Sequence, residues 1–334
     1  MKTQVSIKEI ARICGVSVAT VSRIINQNGR YSEETEKRVR KVIKELNYQP
    51  NQIAKGLRTS RTDIIGIIVP DITNEYFAAL ILAFQKKLFQ GGYSCVIFNT
   101  DGSREIERQC LNNLAALNIS GIISVNGYLD LNELLKRDMP VVYIDKDVPV
   151  NNMFKNWATL SSDHETGAYL ATEELATRGC KRILCITALP DSHATHLRTE
   201  GFIRACTDYQ INCDSNHIFV PQSLSVSCGY EIIKKALEDR INFDGVFCQT
   251  DWLAVGALNA LIEFGIQVPE DVKLVGFDDI RVTQFTQKPL TTIHQSTDSL
   301  GTTAANIMLQ MQEGIFLEER NIKLPVQLIR RETT

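Results

Sequence analysis

The 334-residue sequence lacks any apolar run near the roughly 18–20 residues that a membrane-spanning helix needs. The opening MKTQVSIKEI has no apolar core of a signal peptide, and the nine cysteines form no Cys-x-x-Cys pair or zinc-like spacing. Also missing are the glycine-rich phosphate loops and the G-x-S-x-G and H-E-x-x-H patterns of common enzymes. We therefore expect a cytoplasmic protein with reduced thiols and without catalytic residues, cofactor, metal or membrane contact.

The net charge is small, but the charged residues are unevenly distributed. The formal net charge is −3, yet residues 1–62 carry thirteen lysines and arginines against five acidic residues, so the remaining chain is acidic. A small basic region ahead of an acidic one predicts that only the first region binds a polyanion.

The first region has the signals of a tight helix-turn-helix. Ser6 and Glu9 form a capping box, Gly15 suits a left-handed helix end, and Ser17 can cap a second helix. Only residues 15–17 separate the two helices, and a third helix is predicted from Ser32 onward.

The second helix, within GVSVATVSRIIN, has an outward side that water alone would not favour. Val18, Ala19 and Arg23 lie largely opposite its packing side. Small apolar groups can contact a thymine methyl, and arginine pairs in a bidentate way with guanine. The pattern predicts a recognition helix for the major groove, against the alternative of a plain three-helix bundle.

The following stretch, NYQPNQIAKGLRTSRTD, predicts a short conditional helix. Pro50 can begin a helix, but Gly56 weakens it and two turns are too few for stability in water. We expect a linker that becomes helical only on DNA, where a leucine can wedge into a minor-groove base step.

These motifs together resemble the lactose repressor/galactose repressor (LacI/GalR) family of bacterial transcription regulators. The resemblance implies a helix-turn-helix domain over residues 1–49 and a hinge helix or linker over residues 50–62. It implies base contacts from Val18, Ala19, Arg23 and Leu57. It implies backbone contacts from Ser17, Thr20, Ser22, Asn26 and Arg30.

The remainder, residues 63–334, alternates short apolar runs with helical patterns. Near-continuous Val/Ile runs are typical of parallel strands buried on both faces, so we predict an α/β body with two doubly wound sheets. The predicted strands are residues 64–70, 93–99, 121–125, 140–145, 182–187, 217–220, 245–250, 273–278, 291–295 and 326–332. The N-lobe is predicted over about 63–160 plus 292–322, and the C-lobe over about 161–290 plus 323–334.

Polar and aromatic side chains follow several of these strands. Ligands of parallel sheets bind beyond the carboxyl ends of strands, and carboxylates, arginine and ring faces suit a polyhydroxylated ligand. Each aspartate alone could instead be a helix cap, and Trp252 could be a packed residue. The candidate effector residues are Tyr76, Phe77, Asp145, Arg198, Asp251, Trp252 and Asp278.

The body also resembles the effector domain of the same family, which is similar to periplasmic sugar-binding proteins, through IIGIIVPDITNEYF, RTEGF, TDWLAVGAL and VGFDDI. The resemblance implies that Asp145, Arg198, Asp251 and Asp278 contact an effector, with Tyr76 and Phe77 at the cleft mouth. His193 and His196 precede Arg198 and are expected to be surface residues.

The resemblance implies a regulator that represses carbohydrate-utilisation genes as a homodimer on a palindromic DNA operator. A sugar or sugar phosphate would be its small-molecule effector. Three alternatives stay open: a purine or nucleoside effector, a phosphorylated protein corepressor, or a different class of protein, either an enzyme or a pure carrier.

Overall fold

The computed structural model of the chain divides into two compact units, residues 1–62 (the head) and residues 63–334 (the body). Among the described residues, no helix is long and apolar enough to cross a membrane. The structure describes residues 5–25, 27–46, 48, 62–127, 139–146, 148, 156–213 and 215–334.

The described part of the head contains α1 (Ile7–Cys14), α2 (Val18–Ile25) and α3 (Glu33–Glu45). Each helix begins after a serine whose hydroxyl accepts a backbone N–H three residues later, which satisfies a donor at the helix start. Gly15 ends α1 with a left-handed φ of 64°, so the turn to α2 is as tight as the sequence predicts. The helices share one small core of Ile10, Ala11, Cys14, Val21, Ile24 and Val39.

The N-lobe of the body is built on a parallel sheet in the order β11-β5-β4-β3-β1-β2. Its described helices include α4 (Glu75–Gln90) and α5 (Arg104–Ala116). Alternate residues of β1, such as Ile67 and Ile68, belong to separate apolar clusters, so both sheet faces are buried. The strands are β1 (Ile64–Val69), β2 (Ser94–Asn99), β3 (Gly121–Val125), β4 (Val141–Ile144), β5 (Trp157–Ser162) and β11 (Asn321–Leu324).

The C-lobe has a second sheet in the order β12-β10-β9-β8-β6-β7, parallel except where β12 meets β10. Ile183 and Leu184 of β6 again face different apolar clusters. The strands are β6 (Ile183–Ile186), β7 (Ile218–Phe219), β8 (Gly245–Cys248), β9 (Lys273–Asp278), β10 (Thr291–His294) and β12 (Gln327–Ile329). The helices are α6 (His164–Thr177), α7 (His193–Asp208), α8 (Val226–Glu238) and α9 (Asp251–Glu263), while α10 (Thr297–Gln312) packs on α4 of the N-lobe.

The predicted fold class is therefore confirmed, but the predicted lobe boundaries are wrong at the crossings. β10 pairs with β9 and β12, so residues 292–294 lie in the C-lobe and not in the N-lobe. Residues 161–162 and 323–324 lie in N-lobe strands, in β5 and β11, which the sequence analysis did not predict as strands. The local sequence of a strand does not specify which of the two sheets the strand joins, because its pairing partners are distant in sequence.

Candidate functional site

The outward face of α2 presents the side chains that the sequence predicts for DNA. Ala19 and Arg23 are exposed, whereas Val18 is half-buried and packs against the core of the head. Placement of Val21 and Ile24 in that core fixes which side of the helix faces outward. An exposed arginine beside small apolar groups can read base edges in a major groove.

The predicted backbone contacts surround this face. Ser17 is exposed at the start of α2, and its hydroxyl lies 2.9 Å from the hydroxyl of Thr20. Ser22 is half-buried and Arg30 is exposed. Asn26 and Leu57 lie outside the described residues, so their roles stay predictions, as do those of the other residues predicted to contact DNA.

A cavity of about 410 Å³ lies in the body, and both lobes contribute to its wall. Five of the seven predicted effector residues line it, namely Tyr76, Phe77, Asp145, Arg198 and Asp278. Tyr76 and Phe77 are buried and pack edge to face at 5.3 Å. Their place at the cleft mouth stays a prediction. The N-lobe part of the wall also includes Pro70, Asp71, Asn74, Asp101, Gly102 and Asn126.

Four polar residues of the cavity wall have a positive φ at the end of a strand or within two residues after it. Non-glycine residues pay a conformational cost there, and such residues cluster where the surrounding structure holds them for function. The φ angles are 49° for Asp101, 49° for Asn126, 56° for Asp145 and 123° for Asp278. The strained backbone therefore marks these strand ends as a functional site, and this argument does not depend on the charge of the side chains.

A hydrogen-bonded chain crosses from one lobe to the other. Asp145, after β4 of the N-lobe, lies 2.7 Å from Nε2 of His164, the first residue of α6 in the C-lobe. Nε of Arg198 donates to Nδ1 of the same imidazole at 3.3 Å. All three side chains are buried, and burial lowers the pKa of His164 despite the neighbouring Asp145 carboxylate.

Arg198 is held on several further sides. Its Nη1 donates to the backbone oxygen of Gln249, its Nη2 lies 3.6 Å from Oδ1 of Asp278, and its guanidinium carbon lies 3.8 Å above the Phe277 ring. A guanidinium so placed is pre-oriented toward the cavity, which reduces the entropy cost of binding. The helix α7 begins at His193, so Arg198 lies in its second turn, and His193 and His196 belong to the same helix.

Asp278 receives a second contact from the segment that crosses between the lobes. Nε2 of Gln295 donates to Oδ1 of Asp278 at 2.7 Å, and the Tyr76 hydroxyl donates to Oε1 of Gln295 at 3.4 Å. Burial raises the pKa of Asp278 to about 7, against the opposing effect of the Arg198 guanidinium. Burial also raises the pKa of Tyr76 well above its usual value, so its hydroxyl stays protonated. The network therefore offers hydrogen-bond donors and acceptors to a polyhydroxylated ligand.

Asp251 and Trp252, also predicted for the effector, are not among the described cavity-lining residues. The Asp251 carboxylate accepts hydrogen bonds from Thr292 Oγ1 at 2.6 Å and from the Ile280 backbone N–H at 2.9 Å. Gly276 of β9 makes room for it, since a Cβ there would lie 2.2 Å from Oδ1. Burial, with Asp278 nearby, raises the pKa of Asp251. The geometry thus makes Asp251 a buried brace behind the cavity instead of a wall residue.

Trp252 packs against the N-lobe apolar cluster, which also takes in Ile280 of the C-lobe. Its indole Nε1 is buried and has no hydrogen-bond partner among the described residues. The geometry therefore favours a packing role for Trp252 over contact with the effector. Close by, the backbone N–H of Arg281 donates to Glu75 of α4 at 3.1 Å, which adds a polar contact between the lobes.

Sequence reasoning missed several residues of this site. Asn126 directly follows a predicted strand and Asp101 lies two residues after another, so the strand-end rule would have found them had it been applied to every strand. His164, Gln249 and Gln295 had no comparable signal, because their partners lie 17 to 51 residues away in sequence. Across the described residues, no group of three or more His, Cys, Asp or Glu side chains could hold a metal ion.

Comparison with known protein families gives two separate matches, with residues 52–171 between them. Residues 6–51 match the model for bacterial regulatory proteins of the lacI family. Residues 172–334 match the model for a periplasmic binding protein-like domain. The first match covers the head helices, and the second covers the C-lobe and the end of the chain.

Full-length relatives and a solved structure extend this similarity. The ribose operon repressor of Halalkalibacterium halodurans is 32% identical, and the alignment covers 98% of this chain and 97% of the relative. The HTH-type transcriptional repressor PurR of Vibrio atlanticus is also 32% identical, with 98% of each chain covered. The crystal structure of the Lac repressor dimer bound to operator and the anti-inducer ONPF superimposes with a TM-score of 0.87 at 27% identity, over 99% of both chains.

Proposed function

Because the chain belongs to the LacI family of bacterial regulatory proteins, we propose that it represses carbohydrate-utilisation genes by binding a palindromic operator as a homodimer in the cytoplasm. One helix-turn-helix per chain reads one half-site, so two chains are needed for a palindrome. Repression by occupancy of an operator needs no catalytic step, and none is proposed for the cavity.

The head provides the DNA-binding surface. Arg23 and Ala19 are exposed on α2, and α3 carries a basic face with Lys37, Arg38 and Lys41. The excess of lysine and arginine in residues 1–62 supplies the salt-dependent attraction to phosphates, while α2 supplies discrimination between bases.

The charge of the cavity wall supports a neutral sugar in preference to a sugar phosphate. The wall includes the carboxyl groups of Asp71, Asp101, Asp145 and Asp278 against one guanidinium, that of Arg198. A doubly charged phosphate beside several carboxylates would be repelled, most strongly where water is excluded. Sugar hydroxyls, by contrast, donate to carboxylates and accept from Arg198 at no charge cost. This excess of carboxylates is the observation that carries the effector proposal.

Both lobes contribute contacts, so we propose that the sugar stabilises one relative arrangement of the lobes and thereby changes operator affinity. Asp145 stands on the N-lobe side, while Arg198 and Asp278 stand on the C-lobe side. A ligand shifts such an equilibrium only by its difference in affinity for the two states. The operator must then change sugar affinity by the same factor as the sugar changes operator affinity.

The test is a ligand screen on the full-length chain. D-ribose is included because one relative is named a ribose operon repressor, and purines because another is named PurR. The panel comprises D-ribose, D-glucose, D-xylose, ribose 5-phosphate, adenosine and hypoxanthine. Binding of each compound is detected as a rise in the melting temperature of the protein. A ligand at about 100 times its Kd should add roughly 2.7 kcal/mol of stability.

A response to one neutral sugar and not to ribose 5-phosphate supports the proposal. A response to a purine alone replaces the sugar by a purine effector and leaves the repressor function standing. No response to any compound contradicts the proposed sugar class and points to a protein corepressor.

A further inference from the structure

We propose that His164 is the positioning residue of the effector site, because its imidazole orients Arg198 and ties that orientation to Asp145 on the opposite lobe. This inference rests on the proposed sugar site in the cavity. His164 itself is fully buried, and among the described residues it is not part of the cavity wall. Its effect on a ligand must therefore pass through its two neighbours.

The place of His164 in the fold gives it this reach. The chain crosses from the N-lobe to the C-lobe between the end of β5 at Ser162 and the start of α6 at His164. Asp163 caps α6 by accepting from the backbone N–H and the hydroxyl of Thr166, which fixes the first turn. His164 is thus anchored at the crossing itself, and its side chain reaches back to the N-lobe carboxylate of Asp145.

The two hydrogen bonds assign the tautomer. Nε of an arginine can only donate, so Nδ1 of His164 must carry a lone pair toward Arg198. The imidazole proton is then on Nε2 and is donated to Oδ1 of Asp145 at 2.7 Å. A neutral imidazole with this single proton arrangement is the one form that satisfies both neighbours.

This arrangement fixes the plane of the guanidinium. The Nε contact to His164 and the Nη1 contact to the Gln249 backbone hold opposite ends of the group, and the Phe277 ring lies against one face. If the Nε contact is lost, a buried donor has no acceptor, and only the Nη contacts and the Phe277 ring still orient the guanidinium. Loss of a hydrogen bond to a charged group typically weakens binding by about tenfold or more.

Protonation of His164 would break the same contact. An imidazolium carries a second N–H on Nδ1, which would face the Nε–H of Arg198 at 3.3 Å. The charged groups around the ring are Asp145 after β4, Arg198 and His193 on α7, with Asp278 beyond Arg198 on β9. Burial keeps the pKa of His164 below 6.5, so the neutral form prevails at neutral pH and sugar affinity should fall only in acid.

Two substitutions separate the two hydrogen bonds. In His164→Asn the amide oxygen lies near the former Nδ1 and can still accept from Arg198. In His164→Gln the amide nitrogen lies near the former Nε2 and can still donate to Asp145, but nothing replaces the acceptor for Arg198. The exposed His196 on α7 provides a matched control, His196→Gln.

The experiment measures the Kd of D-ribose for the full-length wild type and the three variants by calorimetry at pH 7.5 and 5.5, with melting temperatures as a check of folding. We expect His164→Gln to bind about tenfold or more weakly and His164→Asn to stay within about threefold of the wild type. Asp278 titrates in both chains, so a larger loss of affinity in acid for the wild type than for His164→Asn reports protonation of His164. Equal affinity of all four proteins would overturn the inference. Equal losses in both His164 variants would also overturn it, because they would mean that the His164 side chain only fills space.

If the wild type does not bind D-ribose, that form of the sugar proposal fails. The tautomer of His164 is then measured in the protein without a ligand. Nitrogen-15 spectra of histidine-labelled full-length protein report the tautomer directly. A neutral ring protonated on Nε2 at pH 7, which shifts on Arg198→Lys substitution, supports the inference. A ring protonated on Nδ1, or one that ignores the Arg198 substitution, contradicts it.

Discussion

The head and the body carry opposite kinds of functional surface. In the head, the candidate DNA contacts Ala19 and Arg23 are exposed on a single short helix within a basic segment. In the body, the candidate effector contacts Arg198 and Asp278 are each 6% exposed, come from different elements and hold each other in place.

The difference follows from the two partners. A DNA groove is a large, charged surface that a protruding helix can enter, so the reading side chains must project and need few neighbours. A small neutral ligand offers little surface, so its site must enclose it and pre-orient polar groups before binding. We therefore expect substitutions in the body to act through networks, and substitutions in the head to act one contact at a time.

The largest expected effect is in the body, at Arg198. Arg198→Gln should weaken binding of the screened sugar by about a hundredfold or more, because a buried charged hydrogen-bonding partner is lost. Calorimetry measures this loss, and a gel-shift assay without sugar should show operator affinity close to that of the wild type. The matched control is Arg204→Gln on the same helix, whose side chain is about half exposed. Undiminished sugar binding by Arg198→Gln would remove the residue from the site.

The next largest effect is in the head, at Arg23. Arg23→Ala should cost roughly 1–3 kcal/mol on the best operator and relax the preference for one base pair. Selection of operator variants followed by titration measures both quantities. Arg12→Ala, at an exposed arginine of α1, is the control. An equal loss on every sequence would instead identify Arg23 as a phosphate contact.

A third effect separates stability from ligand binding at Asp278. Its pKa is about 7 in the folded chain against 3.8 for the free side chain, so between these values only the folded form keeps the proton. The resulting stabilisation is complete below pH 3.8 and falls by about 1.4 kcal/mol per pH unit until it is lost above pH 7. Asp278→Asn has no such slope.

The wild type should thus lose stability relative to Asp278→Asn as pH rises from 5.5 to 7.5, by about 1–2 kcal/mol. Urea unfolding without sugar measures the difference, while the variant should also lose sugar affinity. Asp191→Asn, an exposed aspartate before α7, should follow the wild type at every pH. Parallel curves for the wild type and Asp278→Asn would mean that Asp278 is not held against ionisation.

The smallest effect concerns the segment between the two units. Gly56 lies outside the described residues, and the sequence predicts that it weakens a hinge helix. Gly56→Ala should raise operator affinity by about 0.5–1 kcal/mol, because alanine favours the helix that DNA stabilises. Operator titration measures the gain. An unchanged affinity would indicate that residue 56 is not helical in the complex.

The sequence predicted the elements of the fold well where the signal was local. The serine caps, the left-handed Gly15 and the Val/Ile runs each act over a few residues, and the helices and strands lie where these patterns indicate. The strand-end rule also placed Asp145 and Asp278 in one site. The sequence analysis did not predict β5 and β11 as strands. Both strands are incompletely buried, and they pair with each other although they are far apart in sequence.

By itself, then, the sequence determined the fold class, the helix-turn-helix and the set of candidate carboxylates, since caps, periodicity and strand ends are properties of neighbouring residues. Only the tertiary structure decided that Asp251 braces β9 instead of facing the cavity, that β10 belongs to the C-lobe, and that His164 joins Asp145 to Arg198. These choices depend on contacts between segments 16 to 41 residues apart. No local pattern encodes them, because they are settled when two sheets and their helices pack together.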